Sequence, residues 1–143
     1  METDPTDNSQ ANVLFCDVIG SRKAYEPGNP MARYTLYQAM NEAVHFVNSK
    51  FDTKNEIRIV HGDGIIGELK SVQDSRQAAL LWRLYILTKV GFDLRSGIGV
   101  GDPNLDLEHP FNFVPDDASF LFAEQSLKHL KDNPEFNTYV SGV

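Results

Sequence analysis

The sequence predicts an α+β fold, an antiparallel sheet with helices on one face. Three observations predict it. Two apolar, β-branched runs, residues 57–60 and 65–69, flank a Gly-Asp-Gly and read as a β-hairpin, IRIVHGDGIIGEL. A continuous apolar run over residues 12–18, NVLFCDV, lacks alternation and reads as a strand buried on both faces. Helical patterns stand on either side of the hairpin, and a glycine-rich strand follows the second.

Taken in order, residues 1–11 are polar, contain Pro5 and lack periodicity, so a flexible tail is expected there. Residues 12–143 then form a single domain of ordinary size. After the first strand, Gly20, Pro27, Gly28 and Pro30 mark a loop. Residues 31–51 form the first helix, with Tyr37, Met40, Val44, Val47 and Phe51 as its apolar stripe. Asn29 is its expected cap, and Pro30 its first helical position. The hairpin spans residues 56–69. Ser71 then caps a second helix running to about Val90, with Asp74 where a capping box wants an acid and Gly91 as the terminating glycine. Residues 78–87 are apolar nearly all round, so this helix is expected to be the more buried, with Trp82 and Tyr85 in or near the core. Residues 93–100 form a strand and residues 102–114 a loop. Residues 115–132 form a third helix with Ala118, Leu121, Phe122 and Leu130 near its buried face, and residues 136–140 a last short strand. The order β-α-β-β-α-β is the ferredoxin-like split βαβ unit, here followed by a C-terminal helix and strand.

Composition narrows the function. At 41% hydrophobic, the 143 residues can bury a real core. The net charge of −7, without a Lys/Arg cluster, argues against duplex nucleic acid as partner. It leaves room for a single nucleotide, whose phosphates a divalent metal can bridge to carboxylates. Cys16 is the single cysteine, so no intramolecular disulfide forms; its apolar neighbours make it a buried small hydrophobe. The start of the chain has no signal-peptide pattern, and residues 78–87, interrupted by Arg83, are too short to span a bilayer. A soluble, cytoplasmic protein without a membrane partner is expected.

The topology puts Asp17, near the end of strand one, beside Asp63 at the hairpin tip. Read alone, Asp63 is first of all a turn residue bonding its own backbone; the acid on strand one is what turns the reading toward a metal ligand. Two carboxylates on neighbouring strands can hold Mg²⁺ or Mn²⁺, with a backbone carbonyl of Val18 or Ile19 as a further ligand. The N–H groups of Gly20 and Ser21 can face phosphate oxygens, and Arg22 can neutralise them; the alternative is an ordinary strand-to-helix connection. RSGIGVG, residues 95–101, is neither a Walker loop nor a dinucleotide fingerprint, and its small residues let a helix or ligand approach. Arg95 is either a phosphate contact or an exposed strand residue. The four histidines lack zinc-ligand spacing; His61, beside Asp63, either orients a group there or packs in the hairpin. Lys128 and Lys131, late in the third helix, are candidates to reach a triphosphate or to complement the helix dipole.

VLFCDVIGSR, VHGDGIIGEL and RSGIGVGD, in that order, resemble the palm-type nucleotidyl cyclase superfamily. Class III adenylate and guanylate cyclases, GGDEF diguanylate cyclases and the polymerase palms of type III CRISPR effectors belong to it. SatD-like proteins also look similar, through Asp17-Val18-Ile19-Gly20-Ser21-Arg22 and the RxGIGxG strand. The resemblance covers roughly residues 12–132 and implies a ferredoxin-like palm with Asp17 and Asp63 as metal ligands. The length fits a stand-alone palm like the minimal CRISPR polymerases of antiphage systems, understood to make cyclic oligonucleotides from ATP. Departures are visible. The GGDD or GGDEF signature is reduced to His61-Gly62-Asp63-Gly64. Ile59 stands where class III cyclases carry a base-selecting lysine, with Arg58 beside it. Residues 115–119, PDDAS, lack clear matches to the Asn and Arg of those enzymes.

The resulting expectation is a metal-dependent nucleotidyltransferase making a cyclic di- or oligonucleotide from ATP or related nucleoside triphosphates. Asp17, Asp63 and Val18 would hold metal. Val18, Ile19, Gly20, Ser21, Arg22, Gly62, Gly64, Arg95 and Lys128 would bind nucleotide. A second copy would complete the open site. The rival readings are a class III-like cyclase making cyclic AMP or GMP, and an inactive SatD-like nucleotide sensor or interaction module.

Overall fold

The computed structural model describes residues 11–21, 30–60, 64–101, 118–135 and 138–142. Strand β1 (Ala11–Val18) is the middle of a five-stranded sheet. Helix α1 (Pro30–Asn48) follows, then β2 (Thr53–Val60) and β3 (Gly64–Leu69). Helix α2 (Val72–Val90), β4 (Leu94–Gly101), α3 (Ala118–Asp132) and β5 (Thr138–Gly142) complete the order. The strands lie β2-β3-β1-β4-β5. The first four pair antiparallel throughout, as the ferredoxin-like reading expects. The C-terminal addition behaves differently, because β5 joins β4 in parallel.

Alternation along β1 divides the molecule into two cores. Leu14, Cys16 and Val18 point to one face and pack with Leu36, Met40 and Val47 of α1, Trp82 and Ile86 of α2, and Ile98 of β4. Val13 and Phe15 point to the other face, with Ile66 of β3 and Ala123 of α3. The two helices of the split βαβ unit therefore share one face, and α3 covers the opposite one. Gly97 of β4 makes that third helix possible. A Cβ there would sit 2.4 Å from the Ala123 carbonyl oxygen and 2.9 Å from the Leu127 nitrogen, both backbone atoms that cannot yield alone. The reading of this strand as one that a helix approaches closely is met.

Several local expectations also hold. The Ser71 side chain accepts from the Asp74 N–H at 3.0 Å, and Gly91 closes α2 in the left-handed conformation. Trp82 is buried, and Tyr85 is partly buried against Phe46. The end of α1 is fixed to β2 by Asn48, whose amide accepts from the Ile57 N–H and donates to the Ile57 carbonyl, each at 2.9 Å.

Other expectations need correction. The buried face of α1 is Leu36, Ala39, Met40, Ala43 and Val47, so Tyr37 faces outward at 50% exposure and Phe51 lies beyond the helix. Helix α2 is not sunk all round: Leu80, Leu84 and Leu87 stand exposed, because only the Ala78, Ala79, Trp82 and Ile86 side meets the sheet. Strand β1 begins at Ala11, which is buried and pairs with Gly101. The expected tail over residues 1–10, the cap at Asn29 and the loop over residues 102–114 lie outside the described residues, as do the side chains of Ala118 and Leu121.

Candidate nucleotide site

Asp17 is the next-to-last residue of β1, and both neighbouring strands fix it. It pairs with Gly64 of β3 and with Arg95 of β4. Directly paired residues share a face, so Asp17, Gly64 and Arg95 form a row across the sheet on the α3 side. Asp63, the other expected metal ligand, lies outside the described residues, as do Arg22, His61 and Gly62. Gly64, its neighbour in sequence, is the residue that pairs with Asp17. A Cβ on Gly64 would approach the Val60 carbonyl oxygen at 3.1 Å and the Cys16 carbonyl oxygen at 3.4 Å. A second acid in place of Gly64 would have to crowd the Val60 carbonyl, while the Cys16 carbonyl stays at ordinary contact distance.

From above the row, α3 lowers a cation onto the carboxylate. Lys131 Nζ lies 3.4 Å from Asp17 Oδ2, with the aspartate side chain 21% exposed. The sequence singled out Lys128 and Lys131 together and favoured Lys128 for the site; the structure gives the contact with Asp17 to Lys131. Lys128, three residues earlier, lines a cavity beside Phe15 instead. The signal for choosing between them is rotational phase on α3, set by Ala123, Leu127 and Leu130, which are buried.

The turn after Asp17 is held by a device the sequence reading missed. Gly20 has φ of 74°, which favours glycine, and Ser21 behind it is buried. The Ile19 N–H donates to the Asp93 carbonyl at 2.8 Å. Arg83 of α2 clamps the same aspartate: Nε donates to Oδ1 at 2.6 Å and an Nη to Oδ2 at 3.0 Å. Oδ1 also accepts from the Leu94 N–H at 2.8 Å. Arg83's hydrogen bonds hold the Asp93 carboxyl below its usual pKa, against the opposing effect of partial burial. One residue thus ties α2, the start of β4 and the turn following Asp17. An arginine interrupting an apolar run was the available signal.

Cys16 is buried, its Sγ 3.0 Å from the Ser96 Oγ. Burial pushes its thiol up to about 12, with the nearby Asp17 charge adding to the rise and the Ser96 hydrogen bond opposing it. It is the inert small hydrophobe the sequence suggested.

Among the described residues no cluster of three or more His, Cys, Asp or Glu is placed to hold a metal ion. The donor chemistry at Asp17 nevertheless suits one. The oxygen is of the hard type Mg²⁺ prefers, and the ammonium of Lys131 shows that the carboxylate accepts a cation from the α3 side. No described helix is long and apolar enough to cross a membrane.

No family model and no curated protein matches the sequence. Solved structures do match. A Vibrio cholerae LapD S helix-GGDEF-EAL structure, bound to c-di-GMP, superposes with a TM-score of 0.68 at 11% identity, over 96% of this chain and 32% of that one. The active GGEEF domain of a Vibrio cholerae diguanylate cyclase gives 0.63 at 14% identity, over 94% of this chain and 83% of that one. A Csm1–Csm4 cassette in complex with cA4 gives 0.58 at 13% identity, over 99% of this chain and 23% of that one. The chain thus spans about a third of the LapD chain and under a quarter of the Csm1–Csm4 one. The fold is the one that GGDEF domains and the Csm1–Csm4 structure share.

Proposed function

We propose that this chain is a metal-dependent nucleotidyltransferase that joins ATP or related nucleoside triphosphates into a cyclic di- or oligonucleotide, with a role in antiphage defence. The observation carrying this reading is the placement of Asp17. It sits late on the central strand, in one row with Gly64 and Arg95, with Lys131 above it. The fold supports it too: the similar structures include a diguanylate cyclase domain and chains bound to c-di-GMP, cA4 and cA3.

Asp17, Asp63 and the Val18 carbonyl would hold Mg²⁺ or Mn²⁺, which supplies charge neutralisation and an activated hydroxyl when bound. The remaining work falls to the chain. Arg95 and Lys131 offset phosphate charge beside Asp17, with Arg22 and Lys128 as further cations. Gly20 and Ser21 offer backbone N–H groups in a turn that Asp93 fixes. A ribose hydroxyl oxygen bonds to the α-phosphorus of a second nucleotide. The bond from that phosphorus to the bridging oxygen breaks, pyrophosphate leaves with the electron pair, and the hydroxyl proton passes to solvent. Orientation and electrostatic stabilisation account for the rate. A second copy of the chain is proposed to close the open side.

The test is product analysis. The purified protein is incubated with each labelled nucleoside triphosphate and Mg²⁺ or Mn²⁺, and the products are resolved. A cyclic di- or oligonucleotide that disappears in both Asp17→Ala and Asp63→Ala is the expected result. A cyclic mononucleotide would favour the class III-like reading. Absence of turnover, with nucleotide bound, would favour the inactive sensor; the lack of a second acid at Gly64 is the observation on that side.

A further inference from the structure

Among the described residues the sheet ends on one side at β2 and on the other at β5. The two edges differ. Strand β2 carries Lys54, Glu56 and Arg58, and its pairing with β3 is interrupted by two register shifts. Charge and irregular pairing keep an edge from taking up another strand. Strand β5 has neither. Its sequence, TYVSG, holds no charge and no proline, and it pairs with β4 in unbroken register. Beside it lies a groove of about 530 Å³, bounded by Thr138, Tyr139, Val140 and Arg76 of α2. From Arg76 a row of leucines continues along α2: Leu80, Leu84 and Leu87, exposed at 53%, 47% and 38%. Spacings of three and four keep the row on one side of the helix. We propose that β5 and this leucine row form a two-fold interface with a second copy of the chain, β5 pairing antiparallel with β5 of the partner.

Charge names the occupant. At a net charge of −7 two copies repel, and contact costs least where neither surface is charged. A strand that pairs with itself sets like against like, so a charged strand repels its own copy. Centred on Val140, the pairing sets Val140 against the partner's Val140 and Thr138 against the partner's Gly142. These lie on the sheet face that Val140 shares with Ile98, its pair on β4. Tyr139, stacked on His129 of α3 at 4.1 Å, meets the partner's Ser141 on the other face. Five residues of strand are too few alone, because a stable interface buries about 800 Å² per partner. The groove and the leucine row supply the rest. Pairing uses up the open edge of both copies while β2 stays guarded, so assembly closes at two. The copies run in opposite directions, which puts their Asp17 residues at opposite ends of the joined sheet. This contact is therefore distinct from one that closes the site, and it does not rest on the proposed function.

The experiment is sedimentation velocity of the full chain over a concentration series, without nucleotide or metal. The parent chain should reach a dimer. Val140→Lys sets two ammonium groups against each other at the axis and should leave monomers, as should Val140→Glu. An equimolar mixture of these two variants should restore the dimer. Val140 is partly buried, so circular dichroism checks that its variants fold. Leu84→Glu, at an exposed position, decides the matter where they do not: it should weaken association about tenfold. Tyr34→Glu, equally exposed but on α1, should leave association unchanged. A parent chain monomeric throughout, a mixture of folded variants that stays monomeric, or indifference to Leu84→Glu overturns the proposal. So does loss of the dimer in Tyr34→Glu. Absence of product in the nucleotidyltransferase assay leaves the result standing, since neither nucleotide nor metal enters the measurement.

Discussion

Asp93 shows how much one side chain can organise. Its carboxylate answers Arg83 twice and the Leu94 N–H once, while its own carbonyl receives Ile19. The pH dependence follows from the direction of its shift. Because the native pKa lies below the unfolded value, the stabilisation is present above the unfolded pKa, about 4, and is lost as pH falls through the native one. Both partners are about one-third exposed, so the effect is modest, about 1 kcal/mol after screening. Urea denaturation at pH 7 and pH 3 should show Asp93→Asn losing less stability on acidification than the parent chain. Equal losses would mean that the pair contributes nothing. Arg83 and Asp93 also show why part of the site was unreadable. They are ten residues apart, on a helix and after its end, and no spacing rule couples them. Asp17 was legible because a carboxylate ending an apolar strand departs from its own surroundings. Lys131 was legible as a candidate but passed over in favour of Lys128, since three residues of helix differ by a rotation that packing alone selects.

At the scale of elements, β4 and α3 form the pair on which the site's dimensions depend. Gly97 pairs with Phe15, two residues from the Asp17–Arg95 pair, and is the position where α3 touches the sheet backbone. Gly97→Ala should lift the helix, destabilise the chain by about 2 kcal/mol through overpacking, and lower product formation by withdrawing Lys131. Calorimetric melting together with the product assay checks both halves; an unshifted melting temperature would contradict the close approach. The sequence announced every described strand and helix, because apolar runs, a capping serine and a terminating glycine are local signals. It did not announce which face α3 covers, since a glycine strand admits a helix from either side. Nor did it reveal the outward leucines of α2: where apolar residues surround a helix, periodicity carries no direction.

Across the whole molecule, the sheet separates a larger core under α1 and α2 from a smaller one under α3, and the candidate site belongs to the smaller side. The net charge of −7 acts over all of it. Its repulsion should leave a labelled DNA duplex unretarded by the protein at 0.15 M salt, about physiological, in a mobility-shift assay; retention there would show a basic surface that the charge pattern does not provide.

The central position of β1 has one last consequence. Asp17 is laced into ladders on both sides, so it cannot shift without breaking two strands' worth of pairing at once. Lys131 rides on a helix that rests against the sheet. The aspartate is therefore held by the sheet and the lysine by the helix, so their separation is a reading of how closely the two layers pack. A change of side-chain volume at Gly97 is thus expected to register at Asp17, two pairs away along the strand, without touching it.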